Sequence, residues 1–357
     1  MNTTTPLKTD ATPHSSNVLD QWRGFALVLV LIAHAFHASA RVDGLGRVGV
    51  NIFFFISGIL VFRSLARSRS TGWARVRSFW RHRWWRLFPA MFVYVLVMLI
   101  ADYWLQNIPW LPPGCGFHPF LTHVPAALLY VIDYGPLPPP PLGHLWSTSV
   151  EMQFYFLAPL VFHWAGENQR RRHLIFGTLL FLLMALGTVQ PWLGTKGKYE
   201  FQFAVWPMML GFCCEFKLDW IKTAPARWRA IIGKLIMIVS IAGLAMVFWQ
   251  PQMKTATIAC GTLLTFVCLL AYAGDRPRAS GLPGRALSWL GKRTYSIYLW
   301  QQPFTICYFL PVKYWPLGAL LAVPVGAIWY HYFETPFLSA FRRQSVTSTE
   351  LPARASV

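Results

Sequence analysis

Leu142–Pro159 reads LGHLWSTSVEMQFYFLAP. Coiled as a helix, it sets His144, Ser147, Glu151 and Tyr155 at offsets of zero, three, seven and eleven, one continuous stripe. A carboxylate sits in the middle of that stripe. Trp146, Phe154, Phe156, Leu157, Leu160 and Val161 surround it, so the segment reads as membrane-spanning. An ionisable group there is costly unless it is paired or used, so the rest of the chain must supply a partner for Glu151.

Composition agrees with a bilayer setting. Of 357 residues, 55% are hydrophobic and 16% aromatic, with a mean hydropathy of +0.40. That pattern defines an all-α polytopic membrane protein and argues against two soluble domains. The net charge of +19 would suggest nucleic acid in a soluble protein. Here the charges are segregated. With the N-terminus inside, the cytoplasmic segments hold 26 of the 32 Lys and Arg residues. The outer loops keep Arg41, Arg47, Lys196, Lys198, Lys254 and Lys313. The positive-inside rule then places both termini in the cytoplasm and accounts for the basic charge without nucleic acid. The six cysteines form no CxxC pair and no zinc spacing, most lie in apolar runs, and no metal site is expected.

In chain order, residues 1–17 are polar and read as a disordered cytoplasmic tail. A first apolar run spans Val18–Ala40. Ala38-Ser39-Ala40 resembles a signal-peptidase site, but Arg23 at the start of the run, and His34 and His37 near its end, speak against a cleaved leader. Val48–Leu65 is followed by a segment dense in arginine, including Arg63, Arg75, Arg83 and Arg86, and then by Leu87–Gln106. Asn107–Gly143 has no Lys or Arg. It contains Pro138–Pro141, which reads as a stiff polyproline spacer, and Phe120–Ile132, which is re-entrant or interfacial in length. Beyond the Glu151 helix, further runs bring the count to about ten spans. Internal repeats are not evident, which weakens a secondary-transporter reading.

Arg23 and His34 lie eleven residues apart, about three turns, and share a face of the first span. By depth, His34 lies about 9 Å below the outer end of its helix and Glu151 about 12 Å below the outer start of its own. The two could meet in the outer half of the bilayer. A histidine oriented by a carboxylate in a dry site is suited to take a proton from a hydroxyl. The bland alternative is a paired histidine that serves packing alone. Ser57, Gly58 and Phe53–Phe55 read as close helix packing, and Glu334 as a partner for a nearby arginine.

These segments resemble the acyltransferase 3 family of integral membrane O-acyltransferases, which modify polysaccharides, peptidoglycan, nodulation factors and antibiotics. The resemblance runs from Leu19 to Pro336. LDQWRGFALVLVLIAH is similar to the family's opening motif, an Arg or Lys, ten intervening residues and a His, here Arg23 and His34. Gly49–Leu60 resembles its second-helix signature, and RWWRLFP its RxxR motif with Arg83 and Arg86. HLWSTSVEMQFYFLAP supplies Ser147, Glu151 and Tyr155. Tyr295–Pro303 and Phe333–Pro336 resemble the last two signatures, with Gln301 where the commonest form has a histidine. Only about twenty residues follow Pro336, so the esterase-like domain fused to some relatives is not expected.

The resemblance implies a membrane domain over residues 18–336, a cytoplasmic tail over 337–357, and a bacterial inner (cytoplasmic) membrane. It implies acyl-CoA, chiefly acetyl-CoA, as co-substrate. The acceptor would be a carbohydrate or lipid-linked glycan hydroxyl on the outer side. Arg83 and Arg86 would clamp CoA phosphates. His34 would be the general base, Glu151 its orienting partner, and Arg23, Ser147 and Tyr155 supporting or oxyanion groups. Direct transfer and an acyl-enzyme both remain open. The alternative from another class is a proton-coupled transporter or an exporter of a lipid-linked sugar, because intramembrane His and Glu also serve proton relays.

Overall fold

The computed structural model describes residues 13–36, 40–105, 117–135, 140–189, 200–216, 218–249, 254–273, 281–306 and 309–340, with single residues at 107, 109 and 138. The described residues form helices and turns, with no strand among them. The helices are α1 (Pro13–Ala35), α2 (Ala40–Ala66), α3 (Gly72–Leu105), α4 (Phe117–Leu128), α5 (Leu145–Trp164), α6 (Gln169–Val189) and α7 (Phe201–Ala204). They continue as α8 (Trp206–Glu215), α9 (Leu218–Thr223), α10 (Ala226–Trp249), α11 (Lys254–Ala273), α12 (Leu282–Lys292), α13 (Thr294–Thr305) and α14 (Trp315–Trp329). A π-helical turn, Tyr330–Glu334, carries α14 into residues 335–340.

Five helices are long and apolar enough to cross a membrane: Val18–Ala35, Gly44–Ala66, Gly72–Leu105, Ala226–Met246 and Val312–Ala340. Apolar side chains point outward both from these helices and from α6, with Ile238 63% and Leu320 70% exposed on the former and Leu174 70% and Phe181 71% exposed on the latter. Water would penalise such surfaces, whereas lipid tails match them, so the chain is a multi-pass membrane protein.

Several expected boundaries move. The first helix starts at Pro13, where a fixed φ and a missing N–H suit the first turn. Arg63 closes α2, and the arginines from Arg75 to Arg86 lie on the first half of α3. Beyond α6, the apolar residues after Glu200 divide at Val205 into α7 and α8, with Pro207 in the first turn of α8. Pro140 and Pro141 enter a turn that leads into α5, and Tyr94 donates to the Pro141 carbonyl at 2.8 Å. They are not an extended polyproline spacer.

The piece expected to be re-entrant or interfacial is α4 with its turn. Twelve residues reach about 18 Å, too short to span. The turn closes through Val131 N–H to Ala126 O at 2.9 Å, with Tyr130 at φ 55° where glycine is usual. The Gln153 amide of α5 donates to both Tyr130 O (2.8 Å) and Asp133 Oδ1 (2.7 Å), which ties the turn to the bundle.

Close helix approach does the central packing. A Cβ on Gly58 would stand 1.9 Å from Met208 O, and one on Gly211 2.0 Å from Phe55 O, so α2 and α8 meet backbone to backbone. Around them Leu27, Phe54, Phe154, Phe212 and Ile297 join α1, α2, α5, α8 and α13 in one core. On the arginine-rich side, Glu167 binds Arg75 (3.0 Å) and Arg172 (2.9 Å), and the Arg172 guanidinium lies 3.8 Å from the Phe162 ring centroid.

Gly58→Ala and Gly211→Ala are each expected to destabilise by about 1–3 kcal/mol through overpacking. Gly177→Ala, which meets nothing within 4 Å, should leave the melting temperature in lipid nanodiscs level or higher. The Glu167 contact gives a pH expectation. Burial raises its carboxyl, but Arg172 and then Arg75 outweigh burial and hold it below its ordinary value. The folded chain therefore binds that proton less tightly than the unfolded chain. The contribution is full above about pH 4.3 and is lost as pH falls through the folded value. Glu167 is 70% exposed, so Glu167→Gln should cost about 0.2–1 kcal/mol at pH 7 and nothing once wild type is protonated, as thermal melts across pH would record.

Candidate active site

The stripe on α5 is intact but divides into two levels. At the lower level, Ser57 of α2 donates to Glu151 Oε1 at 2.6 Å, and the Tyr155 hydroxyl donates to the same oxygen. Arg83 of α3 covers the Tyr155 ring with its guanidinium carbon 4.7 Å from the centroid, and lies 5.3 Å from that of Phe79. Arg23 and Arg83 both feel the Glu151 charge, and Arg86 is near enough to repel both. A second carboxylate, Glu334, accepts from Ser296 at 2.5 Å and lies in the field of Arg86 and Arg23. Three guanidinium groups therefore share two carboxylates across four helical segments.

A cavity of about 530 Å³ opens beside this level. Arg75, His82, Arg83, Arg86 and Lys292 line it, with Glu334 as its acidic member. Such a wall suits an anion with several phosphate groups, which guanidinium pairs bind bidentately. Among the described residues no cluster of three His, Cys, Asp or Glu side chains is arranged to hold a metal ion.

At the upper level, His34 Nδ1 lies 2.5 Å from Gln301 Oε1 of α13. His144, 2% exposed, is close enough for the two imidazole charges to interact. Its Nδ1 is 2.8 Å from Gln302 Oε1 and its Nε2 is 3.1 Å from Leu299 O. Ser147 Oγ is 2.7 Å from the Tyr298 hydroxyl and 3.2 Å from His144 O, which Tyr298 also reaches at 3.0 Å. Ser147 therefore braces the start of α5 against α13.

The expected pairing of His34 with Glu151 is not the arrangement described. His34 hydrogen-bonds to Gln301, and Glu151 to Ser57 and Tyr155. The depth count assumed that α5 begins at the outer surface. It begins instead with His144 against Tyr94, whose ring centroid is 5.6 Å away, eleven residues before α3 ends at Leu105. Glu151 is thereby lowered to the level of Arg23, about 16 Å along α1 from His34. Ser57, read from sequence as packing, touches the carboxylate. The sequence marks His144 only as the head of the stripe, and Tyr298 and Gln302 only as members of Tyr295–Pro303. Lys292 and Arg75 carried no signal beyond general basicity.

The chain belongs to the acyltransferase 3 family: the family model, described as an acyltransferase domain, matches residues 17–331. Over 89% of its length it is 28% identical to the O-acetyltransferase OatA of Staphylococcus aureus, and the match covers 56% of that protein. It is 26% identical to the putative O-acetyltransferase SACOL0978 of Staphylococcus aureus strain COL, again over 56% of the relative. The chain thus spans little more than half the length of these curated relatives. No solved structure matches it.

Glu151→Gln would leave Arg23 and Arg83 without their shared counter-charge, an expected loss of about 3 kcal/mol. Ser57→Ala removes one hydrogen bond to that carboxylate and should cost about 1 kcal/mol. Thermal melts in nanodiscs should rank the two in that order.

Proposed function

We propose that the chain is a membrane O-acetyltransferase that moves an acetyl group from cytoplasmic acetyl-CoA to a carbohydrate hydroxyl at the outer side of a bacterial inner membrane. The observation that carries this reading is the basic cavity. Arg75, Arg83, Arg86 and Lys292 surround a volume of about 530 Å³, alongside the level of Glu151 and below that of His34. In this reading the cavity takes the phosphates of CoA. The pantetheine arm then bridges the distance from the Arg23 level to the His34 level, about 16 Å along α1. Residues 18–336 are the transmembrane catalytic unit of about ten crossings, with both termini in the cytoplasm.

His34 takes the proton from the acceptor hydroxyl, and the resulting oxygen attacks the thioester carbonyl carbon. Collapse of the tetrahedral intermediate forms the O-acetyl ester and breaks the carbon–sulfur bond. The proton held by His34 passes to the leaving thiolate, giving free CoA. Glu151 does not orient the base in this account. With Tyr155 and Ser57 it fixes the guanidinium groups of Arg23 and Arg83, so that the donor meets positive charge already in place. Ser147 steadies the α5–α13 contact beside the base.

Thiol release from acetyl-CoA, with pooled cell-envelope glycans as acceptors and the protein in nanodiscs, tests this reading. His34→Ala is expected to lower kcat by about 100-fold or more. Arg83→Ala and Arg86→Ala should chiefly raise the KM for acetyl-CoA. Full turnover by His34→Ala would refute the assigned base.

A further inference from the structure

A second cavity, of about 330 Å³, lies apart from the arginine-lined one, between α8, α9, α10 and α11. Cys213, Ile221, Ile232, Ile236, Phe266 and Leu269 line it, and no charged side chain does. Its size is that of a small-molecule pocket, about 300 Å³ upward. It opens towards lipid, where Ile232 is 46% and Phe266 37% exposed. The outer wall is α10, the least buried of the five spanning helices. A Cβ on Gly233 would meet only Leu270, at 3.9 Å, so side chains do not close the gap between α10 and α11 here.

One end of this groove is charged. On α10, Arg229 precedes Ile232 and Ile236 by three and seven residues and shares their face. Its Nη1 donates to Lys222 O of α9 at 2.9 Å and to Ala273 O of α11 at 3.2 Å. Lys222 follows Ile221, and Ala273 lies one turn beyond Leu269, so the guanidinium is set across the end of the groove. Nη2 has no partner among the described residues. Residues 217–229 read KLDWIKTAPARWR, four basic side chains against one acidic. Glu215, close by, is bound by Arg63 at 3.1 Å and lies in the field of Lys222 and Arg67. Trp220 and Trp228 stand exposed at this end, as indoles do at the headgroup level of a bilayer.

An apolar groove that ends on fixed positive charge beside interfacial tryptophans fits an amphiphile with an anionic head. An alkyl chain alone would not call for the cations, and a free phosphate would not call for the groove. We propose that this groove binds an anionic glycerophospholipid from the arginine-rich side of the membrane, one acyl chain along Ile232, Ile236 and Leu269, its phosphate at Arg229 and Lys222. The site is separate from the arginine-lined cavity and does not depend on the acyl-transfer reading. The bound chain fills the gap between α10 and α11 and so stabilises the folded protein.

Native mass spectrometry of the full chain, released from detergent after exposure to equimolar phosphatidylglycerol and phosphatidylcholine, tests this. Wild type should retain phosphatidylglycerol about fivefold or more over phosphatidylcholine, and phosphatidylglycerol should raise its melting temperature. Arg229→Gln should lose that preference, and Arg229→Lys should keep it. Lys222→Gln leaves the Lys222 carbonyl in place for Arg229 and should weaken the preference, which keeps the test open should Arg229→Gln be unstable. Ile236→Trp fills the groove and should retain less of either lipid. Equal retention of the two lipids by wild type would mean annular lipid only and would overturn the proposal. So would undiminished retention of phosphatidylglycerol in both Lys222→Gln and Ile236→Trp. Displacement of bound phosphatidylglycerol by glycerol 3-phosphate would also overturn it, by assigning the basic end to a free phosphate.

Discussion

A carboxylate cannot lie among apolar helices without an opposite charge or a set of donors, and Glu151 has both. Ser57 and Tyr155 donate to one of its oxygens, and Arg23 and Arg83 lie within its field. The dependence is mutual. Arginine is hardly ever deprotonated, so three guanidinium groups brought together need anions nearby. Glu151 and Glu334 meet that need from α5 and from the end of α14, with α1, α2 and α3 completing the ring. The helices that form the site are therefore tied by its charges as well as by their apolar contacts.

The same arrangement separates two kinds of side chain along α1. Arg23 belongs to the charged level beside the basic cavity, and His34, three turns away, belongs to a level of neutral amides and imidazoles. Phosphate recognition suits fixed positive charge. Proton transfer suits a desolvated imidazole with a neutral partner, where its own charge state responds to the reaction. The short helix α13 supplies Tyr298, Gln301 and Gln302 from little more than one turn, which makes it the wall against which α1 and α5 are registered.

Much of this was legible in the sequence because membrane helices write their constraints plainly. The apolar runs and the segregation of arginine led to an all-helical membrane protein, the α5 stripe and the first span pointed to Glu151 and His34, and Arg83 and Arg86 were singled out by the family resemblance alone. The pairings were less legible, since partner choice depends on where each helix begins in depth. The turn at Pro140–His144 packs on Tyr94 of α3 and so sets where α5 begins, and no periodicity in the sequence Pro138–Pro141 announces that. Gln301 stood out only as a departure from the commonest motif.

The central claim is that one donor molecule lies across both levels, its phosphates in the arginine cavity and its thioester beside His34. Photocrosslinking tests it directly, with two CoA analogues carrying a photoreactive group, one on the adenine and one on the acyl chain, followed by peptide mapping of the nanodisc-held protein. The expected adenine label falls on Gly72–Leu105 and Leu282–Lys292, and the expected acyl label falls near His34 and on Thr294–Thr305. Labelling that excess unmodified acetyl-CoA does not displace, or an acyl label confined to the lipid-facing surfaces of α6 and α10, would contradict it.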